Sequence, residues 1–506
     1  MTRPGLSLWW RLAGAIVVLG LSTPAAAEVN PQRLRVGGYF RVMTRPSFQG
    51  GEGRLGLWNL YGRLLNEGPW GALELSLDLL EPQAGSSDAW ASVHAKVEGG
   101  SIQNADRGNG MLDQFRVSQL YVRAGNVLLE GVTWQLGTLE SYFGDLGLYD
   151  MRPAQLFHDT LGLSARYDVG WLEILAGVGD AGFALRGLEY STIVSGGGSL
   201  RLRLGGHFEI GVGGQVYVEP AVAGNRFGPH RTPLPSHASY ADFQRGELVQ
   251  RFLEENPGRE EEFPDPEPIT SSSYKLIGYI GFGKLGPLRW NNLYVNFQRH
   301  HPERVVTETY AGRDYDIYIA ELTDDRYELN AGNEMHLAIV PDWLDVVWGS
   351  LVGYHQNLDN TLVAGEDNRL FYSTVLRVQL YMSPTVHFLI ETSWAQEMSL
   401  NGNLWREHHD SVFTSQDGAA HSRGLEFGDT ATRNTWQFKA GIVLNPTGRG
   451  IWARPSIRII WGLQYANVHN AFANSFVQSL DQFNAFRETE DRHWHSVIAL
   501  EAEGWF

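Results

Sequence analysis

Several residue patterns in this sequence could do chemistry, and most dissolve on inspection. Two segments pair histidine with acid, Arg299-His-His-Pro-Glu303 and Glu407-His-His-Asp410. A helical zinc site needs its histidines one turn apart, as in HExxH, and neither segment has that spacing, so both read as solvated loops. The segment Gly281-Phe-Gly283-Lys-Leu-Gly286 fits the dinucleotide pattern GxGxxG, but Pro287 and Trp290 follow where a helix would have to start, so it reads as a hairpin turn. His158-Asp159 beside the many serines could belong to a hydrolase, yet no Ser and His share a strand face with an orienting partner. Cysteine is absent, which removes thiol nucleophiles, Cys-based zinc sites and disulfides together. The expectation is a chain that is not an enzyme and has no catalytic residues, no resident metal and no cofactor.

What remains is a set of aromatic rings beside charges. Residues two apart share one face of a strand. On that rule Tyr39 lies with Arg35 and Arg41, Tyr61 with Asn59 and Arg63, Trp452 with Arg454 and Arg458, and Trp505 with Glu501 and Glu503. This combination suits sugars. A pyranose packs its C–H face on a ring, and its hydroxyl rim exchanges hydrogen bonds with arginine and carboxylate groups. Each ring contact is worth about 1 kcal/mol. That attracts a solute without trapping it, as conduction requires.

The elements that must position these rings are long strands. From Trp70 to Leu80, Leu73, Leu75, Leu77 and Leu79 alternate with Glu74, Ser76 and Asp78. Leu376, Val378, Leu380 and Met382 alternate with Arg377, Gln379 and Tyr381, and the tight turn Ser383-Pro-Thr385 leads into Val386, Phe388, Ile390 and Trp394 set against His387, Glu391 and Ser393. Period-two runs of about ten residues, joined alternately by tight turns and long polar stretches, are the pattern of a membrane barrel. The stretch Glu219 to Ser273, with three consecutive glutamates and the segment Phe263-Pro-Asp-Pro-Glu-Pro268, reads as an external loop. In the last run, Ile498, Leu500, Ala502 and Phe506 occupy the apolar parity of a closing strand. By the same parity rule Trp58, Leu60 and Leu64 face lipid in a second strand, and Ile457, Ile459 and Trp461 do so in the strand that carries Trp452.

Charge and hydropathy agree. The net charge of −17 argues against nucleic acid, which needs a basic face. No window beyond residue 27 is apolar enough for a spanning helix. Arg3 and Arg11, the apolar Leu12 to Leu21 and Ala25-Ala26-Ala27 read as an export signal over residues 1–27, leaving residues 28–506 as a single domain.

At this point the chain resembles a known family, the maltoporins. The stretches that carry the resemblance are Gly450-Ile-Trp-Ala-Arg-Pro-Ser-Ile-Arg458, the ending Glu501-Ala-Glu-Gly-Trp-Phe506, Gly38-Tyr-Phe-Arg41, and Arg54-Leu-Gly56 through Tyr61. Phe115-Arg116 through Asp150 looks like the region that enters the pore. The resemblance implies an all-β, antiparallel transmembrane barrel of eighteen strands with long external loops and an inward-folded constriction loop. It also implies a homotrimer in the outer membrane of a Gram-negative bacterium, embedded in its lipid and passing oligosaccharides such as maltodextrins by passive, saturable diffusion. Tyr39, Tyr61, Trp452 and Trp505 fall on its aromatic slide. Arg41, Arg54, Arg116 and Asp150 fall on its ionic track, and Arg63 and Arg152 stand where the family has a carboxylate and a tyrosine. Those two departures leave open a porin for acidic sugars or other anions, and a barrel enzyme is the third alternative.

Overall fold

A computed structural model describes residues 33–46, 55, 58–81, 88–100, 115–181, 193–219, 271–301, 305–310, 313–318, 326–357, 369–399, 432–467 and 493–506. The expected export signal, Arg54 and residues 220–270 of the expected external loop lie outside the described residues. The first strands are β1 (Leu34–Thr44), β2 (Trp70–Leu80), β3 (Trp90–Gly100), β4 (Phe115–Gly125), β5 (Val132–Phe143), β6 (Ala154–Asp168), β7 (Leu172–Asp180), β8 (Val194–Leu204) and β9 (Phe208–Glu219). The chain continues with β10 (Ser271–Leu285), β11 (Leu288–His301), the hairpin β12 (Val305–Tyr310) and β13 (Arg313–Tyr318), β14 (Arg326–Val340) and β15 (Leu344–Asn357). The last are β16 (Arg369–Tyr381), β17 (Val386–Ser399), β18 (Thr432–Leu444), β19 (Ser456–Ala466) and β20 (Trp494–Trp505).

Eighteen of these strands make one antiparallel sheet, and β12 with β13 stands apart. The sheet closes on itself because β20 pairs with β1 from Tyr39↔Trp505 to Thr44↔Leu500. Phe506 and Gly38 then exchange both backbone hydrogen bonds, at 3.1 and 3.0 Å. A Cβ at Gly38 would meet the backbone carbonyl oxygen of Ala72 at 2.8 Å as well as the Phe506 ring, so the closing seam favours glycine there. Closure leaves no unpaired edge, which hydrocarbon would not tolerate.

The alternation shows which medium surrounds the wall. On β17, Trp394 is 37% exposed while Glu391 and Glu397 are fully buried. On β16, Leu376 and Leu380 are exposed while Arg377 and Gln379 are buried. The apolar parity faces out and the polar parity faces in, the reverse of a water-soluble core. Only surrounding lipid makes that arrangement favourable, and the chain is a transmembrane, outer-membrane β-barrel. One end carries tight turns, including Ser383 N–H to Val386 O at 3.0 Å. The Gly281 to Gly286 segment ends β10 and enters the tight β10–β11 turn at Gly286–Pro287, so it belongs to a hairpin, as read from its sequence.

The second strand does not run where the alternation of Trp58, Leu60 and Leu64 placed it. The β1–β2 ladder ends at Arg41↔Trp70, and the described part of the connection, residues 55 and 58–69, lies within the lumen. Trp58–Tyr61 forms one short helical turn, α1. Gly62 (φ 80°) and Leu65 (φ 63°) then break the extended period on which the parity argument rests. Leu60 and Leu64 are buried inside the barrel instead of facing lipid. With Leu55 and Leu65, Leu64 packs on inward apolar positions of the wall, Leu389, Val443, Ile460 and Val497. A second insertion, residues 144–153 between β5 and β6, packs Leu146, Leu148 and Tyr149 against Leu60, Tyr61, Val347 and Val375. Each buried leucine contributes about 1.5–3 kcal/mol, so the two inserts share a core of their own within the lumen.

Candidate functional site

The first insert, residues 55 and 58–67, is bolted to the wall by charge. Glu391 bonds Lys439 at 2.8 Å and the Arg377 Nε at 2.7 Å, and Lys439 also donates to the Tyr61 carbonyl at 3.0 Å. Arg433 donates to Glu397 at 3.1 Å and to the Tyr61 hydroxyl at 3.1 Å. The second insert is joined to the first, because the Arg63 N–H donates to the Leu148 carbonyl at 2.7 Å. On its other side, the carboxylate of Glu334 on β14 accepts the N–H of Gly147 at 2.9 Å and of Leu148 at 2.8 Å.

Among the described residues the lumen keeps an open hollow of about 1060 Å³, lined mainly by β3 to β9 and reached by residues of β1, β2, β10 and β11. Its lining includes seven cations (Arg41, Lys96, Arg116, Arg123, Arg152, Arg166, Arg201) and six carboxylates (Glu98, Glu140, Asp145, Asp150, Glu173, Glu209). Most of the carboxylates already have a cation. Lys96 bridges Glu98 at 2.8 Å, Arg152 bridges Glu140 at 2.9 Å, and Arg201 bridges Glu209 at 3.1 Å. Burial pushes the Asp145 carboxyl up toward its neutral form, although Arg152 opposes this. Arg123 has no carboxylate within salt-bridge distance among the described residues. It donates to Gln135 at 2.8 Å and lies 4.6 Å above the Tyr121 ring, which stacks on His94 at 4.7 Å. Two smaller hollows toward the tight-turn end also reach Arg123, so it stands where they meet the main one.

The four expected slide rings separate into two settings. Tyr39 lines the open hollow and stacks on Trp505, with centroids 6.5 Å apart and planes at 25°. The Tyr39 hydroxyl donates to Glu503 at 2.8 Å and accepts from Arg63 at 3.1 Å. Trp505 is half exposed, with the Arg454 guanidinium 5.5 Å from its ring. Tyr61 lies instead in the shared core of the inserts, where burial, against the opposing pull of Arg433, pushes its hydroxyl up to about 12. Trp452 is not on a wall strand, because β19 begins at Ser456. It sits in the preceding turn against Gly147, where a Cβ would meet its ring at 2.9 Å, and Arg377 lies 5.4 Å from it. The parity read for that strand holds only from Ser456 onward, with Ile457, Ile459 and Trp461 outward.

The expected track residues also divide. Arg41 pairs with Glu67 and donates to the Gly68 carbonyl at 2.8 Å. Arg63 bridges Glu503 at 3.0 Å, Glu67 at 3.1 Å and Asp150 at 3.9 Å. Burial opposes its charge, and Glu503 and Asp150 more than offset this, holding it above its ordinary value. Arg152 stacks 4.2 Å over Tyr142. Arg116 lines the hollow, and Arg54 lies outside the described residues. Sequence reasoning missed Tyr121 with Arg123, although they repeat the ring-beside-cation spacing on β4. It also missed Glu334, which carries no local signal.

No family model matches the chain, and no curated relative does. Solved structures similar to it include OprD of Pseudomonas aeruginosa, at 8% identity and a TM-score of 0.39, covering 94% of this chain and 95% of that one. OccK1 (OpdK) of the same organism has 8% identity, a TM-score of 0.38 and coverage of 94% and 98%. OmpT of Vibrio cholerae in a trimer form has 8% identity, a TM-score of 0.35 and coverage of 94% and 99%. The comparisons give the maltoporin resemblance no support. The expectation that the chain is not an enzyme is withdrawn: its structural neighbours include OmpT as well as OprD and OccK1, and the barrel architecture by itself does not exclude catalysis.

Proposed function

We propose that this barrel is a passive, saturable pore for small hydroxylated solutes, with a preference for those that carry an anionic group, such as acidic sugars. The observation that carries this reading is Arg123. It is a lumen cation at the meeting of the three hollows, with no carboxylate partner among the described residues and a flat ring beneath it. A solute carboxylate there gains charge-assisted hydrogen bonds that a neutral sugar cannot make. Two of the rings that line the open hollow point the same way. Tyr121 and Tyr142 each hold a guanidinium within 5 Å of the ring centre, which leaves less free face for a pyranose. A second reading, a pore for neutral oligosaccharides of the maltodextrin type, draws on the Tyr39–Trp505 stack with its Glu503 and Arg63 companions. In that reading Tyr61 and Trp452 shape the inserts and do not touch the sugar.

A homotrimer is the proposed assembly. At the long-loop end an outward belt of rings runs over β10, β11, β14 and β15, with Tyr274, Phe297, Tyr327 and Tyr354 at 5.8–6.4 Å spacings. It resumes at Tyr372–Trp394 and Tyr465–Trp494. Such rings sit at the lipid–water boundary. On β1 to β9 the described outward positions at that end carry no aromatic ring apart from Phe115, which suits contact with other copies.

Planar-bilayer recording of the purified barrel tests the pore. Saturable block by glucuronate oligomers with little block by maltotriose supports the acidic-solute reading. The opposite ranking moves the proposal to neutral sugars, and absence of conductance removes both.

A further inference from the structure

Glu334 is fully buried on β14, facing into the barrel, and it takes no part in the open hollow. Its two oxygens accept the successive N–H groups of Gly147 and Leu148 at the tip of the second insert. No cation lies within salt-bridge distance of it among the described residues. The tip is otherwise held by the Arg63 N–H on the Leu148 carbonyl, by Trp452 against Gly147, and by Tyr149, whose hydroxyl lies 3.3 Å from Ser373. At its base the insert is also held by Asn292, whose side-chain N–H donates to the Asp145 carbonyl at 3.1 Å.

We propose that Glu334 is the positioning residue of the pore: its ionised carboxylate holds the second insert against the β14–β16 wall, and its protonation frees the tip to swing into the conducting hollow. This rests on the porin reading above. The chemistry is a matter of counting donors and acceptors. An ionised carboxylate accepts from both N–H groups at once. A protonated one turns one oxygen into a donor facing a donor, and a buried N–H left without an acceptor is costly. The charged and titratable groups around it are Asp145 and Tyr149 on the insert and Arg377 on β16. On the wall nearby, His336 follows on the same face of β14 and bonds Asp345 of β15 at 3.1 Å.

The test is single-channel recording of wild type, Glu334→Gln and Glu334→Asp as pH falls from about 9 to about 4, through the range where exposed and buried carboxyl groups titrate. Wild type should flicker to closed levels increasingly as the pH falls. Glu334→Gln offers one acceptor and one donor, and should flicker about tenfold more often than wild type already at neutral pH, with no further change on acidification, if one net hydrogen bond of about 1–1.5 kcal/mol is lost. Glu334→Asp keeps the charge and should restore the pH dependence in part. A Glu334→Gln channel whose gating matches wild type at every pH overturns the latch while leaving the porin reading intact. A wild-type barrel that does not conduct removes the porin reading itself. Hydrogen exchange on wild type is the second measurement, should the Gln variant fail to fold. Acid-induced loss of protection at Gly147 and Leu148 supports the latch, and unchanged protection overturns it.

Discussion

The wall from β14 to β20 and the wall from β3 to β9 belong to one sheet and share one alternation, yet their inward faces meet different media. On the first, Glu391, Arg377 and Lys439 are closed off under the inserts, each charge answered by another. On the second, Lys96 with Glu98, and Glu140 with Arg152 of the second insert, border the hollow and keep part of their surface wet, and Arg123 has no carboxylate within salt-bridge distance among the described residues. The same residue types therefore serve as bolts on one side and as solute-facing groups on the other. What separates them is whether an insert packs over them, because a charge out of water is costly unless it is paired.

The largest effect that can break this contrast is a deletion in the filled half. Glu391→Ala strands Arg377 and Lys439 in a dry site and should cost about 3–5 kcal/mol, read as a lower urea midpoint of the detergent-solubilised barrel. The matching deletion in the open half, Glu98→Ala, should cost at most about 1 kcal/mol, because Lys96 can turn to water. Equal costs for the two would erase the distinction. Next in size, Arg123→Gln should weaken glucuronate block about tenfold, the loss of a charged hydrogen bond, with the open-channel current little altered. Undiminished block would place the anion elsewhere along the wall.

A smaller effect separates the rings. Tyr39→Ala should reduce oligosaccharide block about fivefold, one stacking contact, whereas Tyr61→Phe should leave block unchanged. Reduced block in Tyr61→Phe would show that a solute reaches beneath the inserts. The smallest effect concerns Asp145, whose carboxyl burial pushes up. A carboxyl raised in the folded state contributes stability that is present at low pH and is lost as pH rises through the folded value. Asp145→Asn should therefore unfold at a higher urea concentration than wild type at neutral pH and not at acid pH. A gain that persisted in acid would assign the effect to packing.

Much of the barrel can be read from single strands. The outward parities of Leu376, Leu380, Phe388 and Ile390, the seam at Phe506 and the hairpin at Gly281 to Gly286 all stand in the structure as alternation places them. The reason is that alternation and turn chemistry are local: a residue's face follows from its neighbours as long as the chain stays extended. The inserts were not legible in this way. Leu60 and Leu64 alternate as wall residues do, and the apolar inward positions Leu389, Val443 and Ile460 make sense only once another segment lies against them.

By itself, then, the amino-acid order determined a cysteine-free, closed sheet with a charged and aromatic interior, because period-two hydrophobicity has only one stable setting in lipid. Which interior groups remain open to a solute was decided by tertiary structure alone. Tyr39 and Tyr61, with similar local signatures, ended on opposite sides of that line. Burial in the lumen depends on where two distant loops come to rest, and the contacts that place them, Glu334 with Gly147 and Arg433 with Tyr61, join residues far apart in the chain.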